Sequence, residues 1–92
     1  MEKYFIGITI WSGVYHDAFA SKNLEEVFTR IVDVFRTGEL STQDDDAAVI
    51  EFESGRIGQI IPSVPELFET EEGGFDWDDS EIWRTVRDGR LP

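Results

Sequence analysis

The sixteen residues from Asn23 to Gly38, NLEEVFTRIVDVFRTG, constrain the fold more than any other stretch of the chain. Leu24, Val27, Phe28, Ile31, Val32 and Phe35 recur at the three- and four-residue spacing that gathers side chains onto one side of an α-helix. Glu25, Glu26, Arg30, Asp33 and Arg36 fall largely outside that stripe. Asn23 with Glu26 three residues on has the pattern of a capping box, and Gly38 offers the left-handed residue that commonly ends a helix. Such an amphipathic helix draws most of its stability from the surface it covers, so the remaining residues must supply one.

That surface reads as a sheet. Lys3 to Trp11 alternates, with Tyr4, Ile6, Ile8 and Ile10 on one side and Phe5, Gly7, Thr9 and Trp11 on the other. Both sides are apolar, which places the strand centrally. Ser12-Gly13 is a two-residue turn, and Val14 to Ala20 returns as a second strand, with Tyr15 and Phe19 on one face and His16 and Ala18 on the other. After the helix, ELSTQDDD has no periodicity and reads as a loop. Ala47 to Glu53 is a third strand, with Ala48, Ile50 and Phe52 expected inward and Val49, Glu51 and Glu53 outward. Ser54-Gly55 repeats the earlier turn into a fourth strand, Arg56 to Ile61, with Ile57 and Ile61 on one face and Ile60 on the other. Pro62 and Pro65 end the sheet, since neither donates to a ladder. Glu66 to Glu72 has room for one helical turn, and a last short helix runs from about Asp79 to Asp88, capped by Asp78 or Ser80. The expected fold is α+β: a small antiparallel sheet of two hairpins with one amphipathic helix packed on it, ββαββ plus a short C-terminal helix. At 92 residues the chain makes a single compact domain, 1–92, of which 62–92 is an acidic, aromatic-bearing C-terminal segment.

Several chemistries fail on composition. The chain has no cysteine, which removes disulfides, thiolate metal sites and cysteine nucleophiles. His16 is the one histidine, so it has no second imidazole for a zinc site, and no serine stands in a triad-like pattern with it. Asp76, Asp78 and Ser80 have the spacing that opens a calcium loop, but Glu81 stands where glycine is required and Arg87 where a bidentate glutamate is required. No glycine-rich phosphate cradle is present, and no metal or cofactor is expected. The start of the chain, MEKYFIGITIW, lacks a basic stretch followed by a long apolar run, and no membrane-spanning stretch follows, so a cytoplasmic protein is expected.

Charge carries the functional signal. The net charge is −12, and it is unevenly placed. Residues 1–38 hold four basic against five acidic residues, residues 39–83 hold Arg56 alone against fourteen acids, and residues 84–92 hold three arginines against Asp88. Patchy charge reports association, and this sign repels a nucleic-acid backbone, so direct nucleic-acid binding is not expected. The expected partner is instead a basic protein, a nucleic-acid-binding protein or nuclease, met through Asp44, Asp45, Asp46, Glu51, Glu53, Glu71, Glu72, Asp76, Trp77, Asp78 and Asp79. Glu51 and Glu53 lie two residues apart on one strand face, about 6.6 Å from each other, a repeat of the order found along a polynucleotide. Trp83 is the core candidate of the acidic segment and Trp77, between two aspartates, the interface anchor. A small, cofactor-free acidic protein with aromatics among its acids is similar in type to the DNA-mimicking inhibitors that phages and mobile elements direct against CRISPR and restriction enzymes. Immunity proteins against nuclease toxins are the alternative of the same kind. Halophile-type acidity with no partner is a third reading, which the near-neutral first 38 residues oppose.

Overall fold

A computed structural model describes residues 2–78 and 81–92. Its elements run β1 (Lys3–Trp11), β2 (Val14–Ser21), α1 (Leu24–Arg36), β3 (Asp46–Glu53), β4 (Arg56–Ile61), a 3-10 turn (Val64–Phe68) and α2 (Ile82–Arg87). The four strands form one antiparallel sheet in the order β2-β1-β3-β4, giving the expected α+β architecture. Both hairpins turn on a Ser-Gly pair in the left-handed region, Ser12 and Gly13 at φ 49° and 81°, Ser54 and Gly55 at 52° and 79°. Two consecutive left-handed residues match the right-handed twist of the strands they join.

The helix forms as its stripe requires, and all six apolar residues of that stripe are buried. Asn23 caps it, its side chain accepting from the backbone N–H of Glu25 (3.0 Å) and Glu26 (3.4 Å). The reciprocal half of the capping box is taken over by Ser21, whose hydroxyl accepts from Asn23 N–H (3.0 Å) and donates to the Glu26 carboxylate (3.2 Å). Gly38 ends the helix at φ 83°. The C-terminal helix is shorter than expected. Glu81 holds its cap position in helical backbone geometry without a side-chain cap bond, and Asp78 pairs elsewhere. Ser80, the other expected cap, lies outside the described residues.

Every sheet residue in the core, Phe5, Ala47, Val49 and Ile61 with the buried Thr9, belongs to one face, the face that α1 covers. This reverses the expected orientation of β3: Ala47 and Val49 point inward, whereas Ala48, Ile50 and Phe52 share the opposite face. Alternation fixes which residues of a strand go together, but when both sets are apolar it does not say which set meets the helix. Two ladder irregularities correct the other strands. The register slips between Thr9 and Ile10, so Asp17 pairs with Thr9, Tyr15 pairs with Ile10, and His16 turns to the helix side along with Phe19. A second slip between Ile50 and Phe52 brings Ile57 and Ile60 onto one face, with Ile61 on the other. Bulges of this kind add a residue that period-two counting does not see.

Candidate interaction surfaces

The expected contact acids divide by what holds them. Asp44 is exposed and makes no ion pair among the described residues. Asp45 is a structural clamp, its two oxygens accepting from Ser12 N–H (2.7 Å) and Ser41 N–H (2.8 Å), which ties the first hairpin turn to the loop after α1. Asp46 accepts from Ala47 N–H (2.7 Å) and from the Ser63 hydroxyl (3.3 Å), joining the start of β3 to the chain beyond β4. On β3, Glu51 and Glu53 project on the helix side of the sheet; Glu51 meets Lys3 at 3.5 Å, and Glu53 makes no ion pair among the described residues. Glu71 and Glu72 stand exposed on a tight turn closed by Thr70 and Gly74, whose flanks pair at Glu69 and Phe75. Asp76 is half-buried and accepts from Asp78 N–H (3.2 Å), and Asp78 reaches Arg36 at 2.6 Å. Asp79 lies outside the described residues.

The two tryptophans of the acidic segment do not separate into core and interface. Trp77 is half-buried, stacked between Phe35 (5.8 Å, 16°) and Phe75 (6.0 Å, 11°), with Phe68 tilted against it at 4.7 Å. Trp83 packs on Phe28 and Phe68, and its indole N–H donates to the Trp77 carbonyl. Together they pin the acidic segment onto α1.

Among the described residues the largest group of acids without an ion pair lies in one stretch. Among the described residues Lys3, Lys22, Arg30, Arg36, Arg87 and Arg90 each meet a carboxylate, and Arg87 does so across to Glu25 of α1. The Lys22 ammonium, with the Tyr4 hydroxyl, holds the Glu2 carboxyl below its ordinary value. Glu66, Glu69, Glu71 and Glu72, exposed on or beside the 3-10 turn, have no such neighbour among the described residues. The charge asymmetry of the sequence therefore becomes a spatial one, concentrated around residues 66–72.

His16 lies between a hydroxyl and a carboxylate. Its Nδ1 lies 2.9 Å from the Thr9 hydroxyl and its Nε2 3.8 Å from Glu39. Thr9, however, is 0% exposed, so no substrate reaches its oxygen. A groove of about 220 Å³ between α1 and the C-terminal segment is bridged by the Arg36–Asp78 pair, and His16 lines neither that groove nor the hollow at the β3–β4 turn. Among the described residues no three His, Asp or Glu side chains gather where a metal ion would sit, and no helix is long and apolar enough to cross a membrane.

No family model, curated protein or solved structure matches this chain. Its surfaces therefore have to speak through their own chemistry, and one of them was not anticipated. The sheet face turned away from α1 carries Tyr4, Ile6, Ile8 and Ile10 from β1, Tyr15, Ala18 and Ala20 from β2, Ala48, Ile50 and Phe52 from β3, and Ile57 and Ile60 from β4. The helices and the 3-10 turn pack on the other side, leaving Ile57 60% and Ile60 54% exposed. Among the strand residues in register with this face the only charge is Asp46, at its end opposite Ile10. The signal was present in the sequence: β1 and β3 are apolar on both sides, and a single thirteen-residue helix covers only one.

Proposed function

We propose that this protein binds another protein through the anionic surface around residues 66–72 and so occupies a basic site built for nucleic acid, acting as a DNA-mimic inhibitor. The observation that carries this reading is the sorting of charge: among the described residues Lys3, Lys22, Arg30, Arg36, Arg87 and Arg90 are engaged in local ion pairs, while Glu66, Glu69, Glu71 and Glu72 stand exposed without an ion pair. A concentrated field of one sign speeds encounter with an oppositely charged groove and rejects nucleic acid itself. The turn that presents these acids is held by the buried Phe68 and the Glu69–Phe75 bridge, which limits the ordering cost of binding. Asp44 and Glu53 extend the same sign elsewhere on the surface, whereas Asp45 and Asp46 act in the fold.

The test is capture from bacterial lysate on the immobilised protein, with duplex DNA and then rising salt as eluants. A nuclease or other DNA-binding protein displaced by DNA supports the reading. The Glu69→Gln/Glu71→Gln/Glu72→Gln variant should bind that protein at least about tenfold more weakly, the equivalent of about 1.4 kcal/mol. Equal retention of generic basic proteins by both forms would reduce the surface to an ion exchanger and reject inhibition.

A further inference from the structure

We propose that two copies of this chain pair through the open faces of their sheets, forming a sandwich about a two-fold axis parallel to the strands. The proposal rests on the apolar face and is independent of the anionic surface.

Three observations select a second copy as the occupant. The first is relief. In the register of the sheet, Ala20, Ile6, Ile50 and Ile60 form one row from edge to edge, and Ala18, Ile8 and Ala48 the row beside it. In these two rows one edge, β2, is therefore low, with alanines, its exposed Tyr15 standing only in the row of Ile10 and Asp46, past the end of β4; the other edge, β4, is high, with Ile57 and Ile60 more than half exposed. A two-fold axis along the strands lays the β4 of one copy over the β2 of the other, so that isoleucines fill the troughs above alanines. It also lays β1 over β3, setting Ile6 against the partner's Ile50. An axis across the strands would instead set alanine on alanine and leave voids, which close-packed interfaces avoid.

The second observation is area. Four strands about 4.8 Å apart and an apolar run of about seven residues at about 3.3 Å each give a face of roughly 450 Å² in plane. Two such faces remove roughly 900 Å² before side-chain relief is added, which brings the pair to the ~1,000 Å² that a specific interface requires. The third is charge. A chain of net charge −12 resists its own copies unless the contact keeps like charges apart. This face does so, because α1, the 3-10 turn and the acidic segment lie on the opposite side of the sheet. Stacked sheets then sit about 10 Å apart with the anionic layers outermost.

Sedimentation equilibrium and light scattering across a concentration series test the pairing. The chain should show twice its 10.5 kDa mass at about 100 µM. Because Ile57 and Ile60 are exposed in the single chain, Ile57→Lys/Ile60→Lys should keep its circular dichroism while weakening the dimer about a hundredfold or more. A wild-type chain that stays at 10.5 kDa overturns the proposal, as does a dimer indifferent to these two lysines. The axis has its own test, since the chain contains no cysteine. Mixing Ala20→Cys with Ile60→Cys chains and adding a short bis-maleimide should yield the mixed cross-link. Cross-linking of Ala20→Cys only to itself would overturn the axis.

Discussion

Phe28→Ala is expected to lower the unfolding free energy by about 3–5 kcal/mol, the range for removing a fully buried phenylalanine ring. Phe28 is 0% exposed at the middle of the α1 stripe, and its ring meets Phe68 at 6.3 Å and Trp83 at 6.3 Å. It is the point where the helix, the 3-10 turn and the C-terminal helix converge. A domain of 92 residues has a total stability of roughly 5–14 kcal/mol, so the loss is about a fifth of it at least. The cavity would be ringed by elements that cannot easily collapse into it: Phe68 is held by the 3-10 turn and Trp83 by its hydrogen bond to the Trp77 carbonyl. Urea denaturation followed by tryptophan fluorescence reads the effect directly, because Trp83 touches the deleted ring. A midpoint shift equivalent to less than about 1 kcal/mol would mean that the converging elements do not depend on Phe28.

Gly7→Val should destabilise almost as strongly, and the sign is not what backbone preference alone implies. Glycine inside a strand is worse than alanine by roughly 0.5–1 kcal/mol, so filling the position ought to help. Packing decides otherwise. A Cβ at Gly7 would stand 2.5 Å from Phe19 Cε2, 2.8 Å from Phe19 Cζ and 2.9 Å from Val27 Cγ1. Phe19 is the cross-strand partner of Gly7, its ring lies over the glycine, and the Arg30 guanidinium sits 4.1 Å above that ring. Glycine is needed here because strand and helix approach closely, with an aromatic ring filling the missing side chain's place. Alanine should cost about 1–3 kcal/mol and valine more, as overpacking does. In a Phe19→Ala background the alanine penalty should shrink by at least about 0.5 kcal/mol, the coupling expected of residues in contact. Equal penalties in both backgrounds would place the clash on Val27 alone.

Much of this fold is legible from residue spacing. The stripe of α1, the two Ser-Gly turns, the stop at Pro62 and the central position of β1 all follow from local pattern, and each is present. What pattern does not carry is phase. Ile50 and Val49 are nearly equivalent by composition, yet one is buried under α1 and the other faces away, because only the three-dimensional path of the helix distinguishes them. The two ladder slips hide for a similar reason: His16 is an ordinary strand residue by sequence, and its turn toward Thr9 depends on a partner strand that makes no room for it. The candidate acids show the same limit. Asp44, Asp45 and Asp46 are identical letters in a row, but Asp45 and Asp46 each accept from one nearby backbone N–H and from one donor of a distant segment, Ser12 and Ser63, and Asp44 alone is left to solvent.

The strand order has a consequence for the order of assembly. Each hairpin closes over a two-residue turn, but they are joined along the β1–β3 ladder, where Lys3 meets Glu53 and Ile10 meets Asp46. Hairpins form on the order of 1–10 µs, whereas this seam closes only after the helix and the long loop have been gathered in. The seam, then, is where folding waits. In stopped-flow chevrons Val49→Ala, on the seam, is expected to slow folding, while Gly55→Ala, strained at φ 79° in the local turn, should mainly hasten unfolding. The reverse pattern would mean that the second hairpin, and not its junction with the first, is the nucleus. A single strand pair would thus set the pace for a chain whose other pairings are all between neighbours.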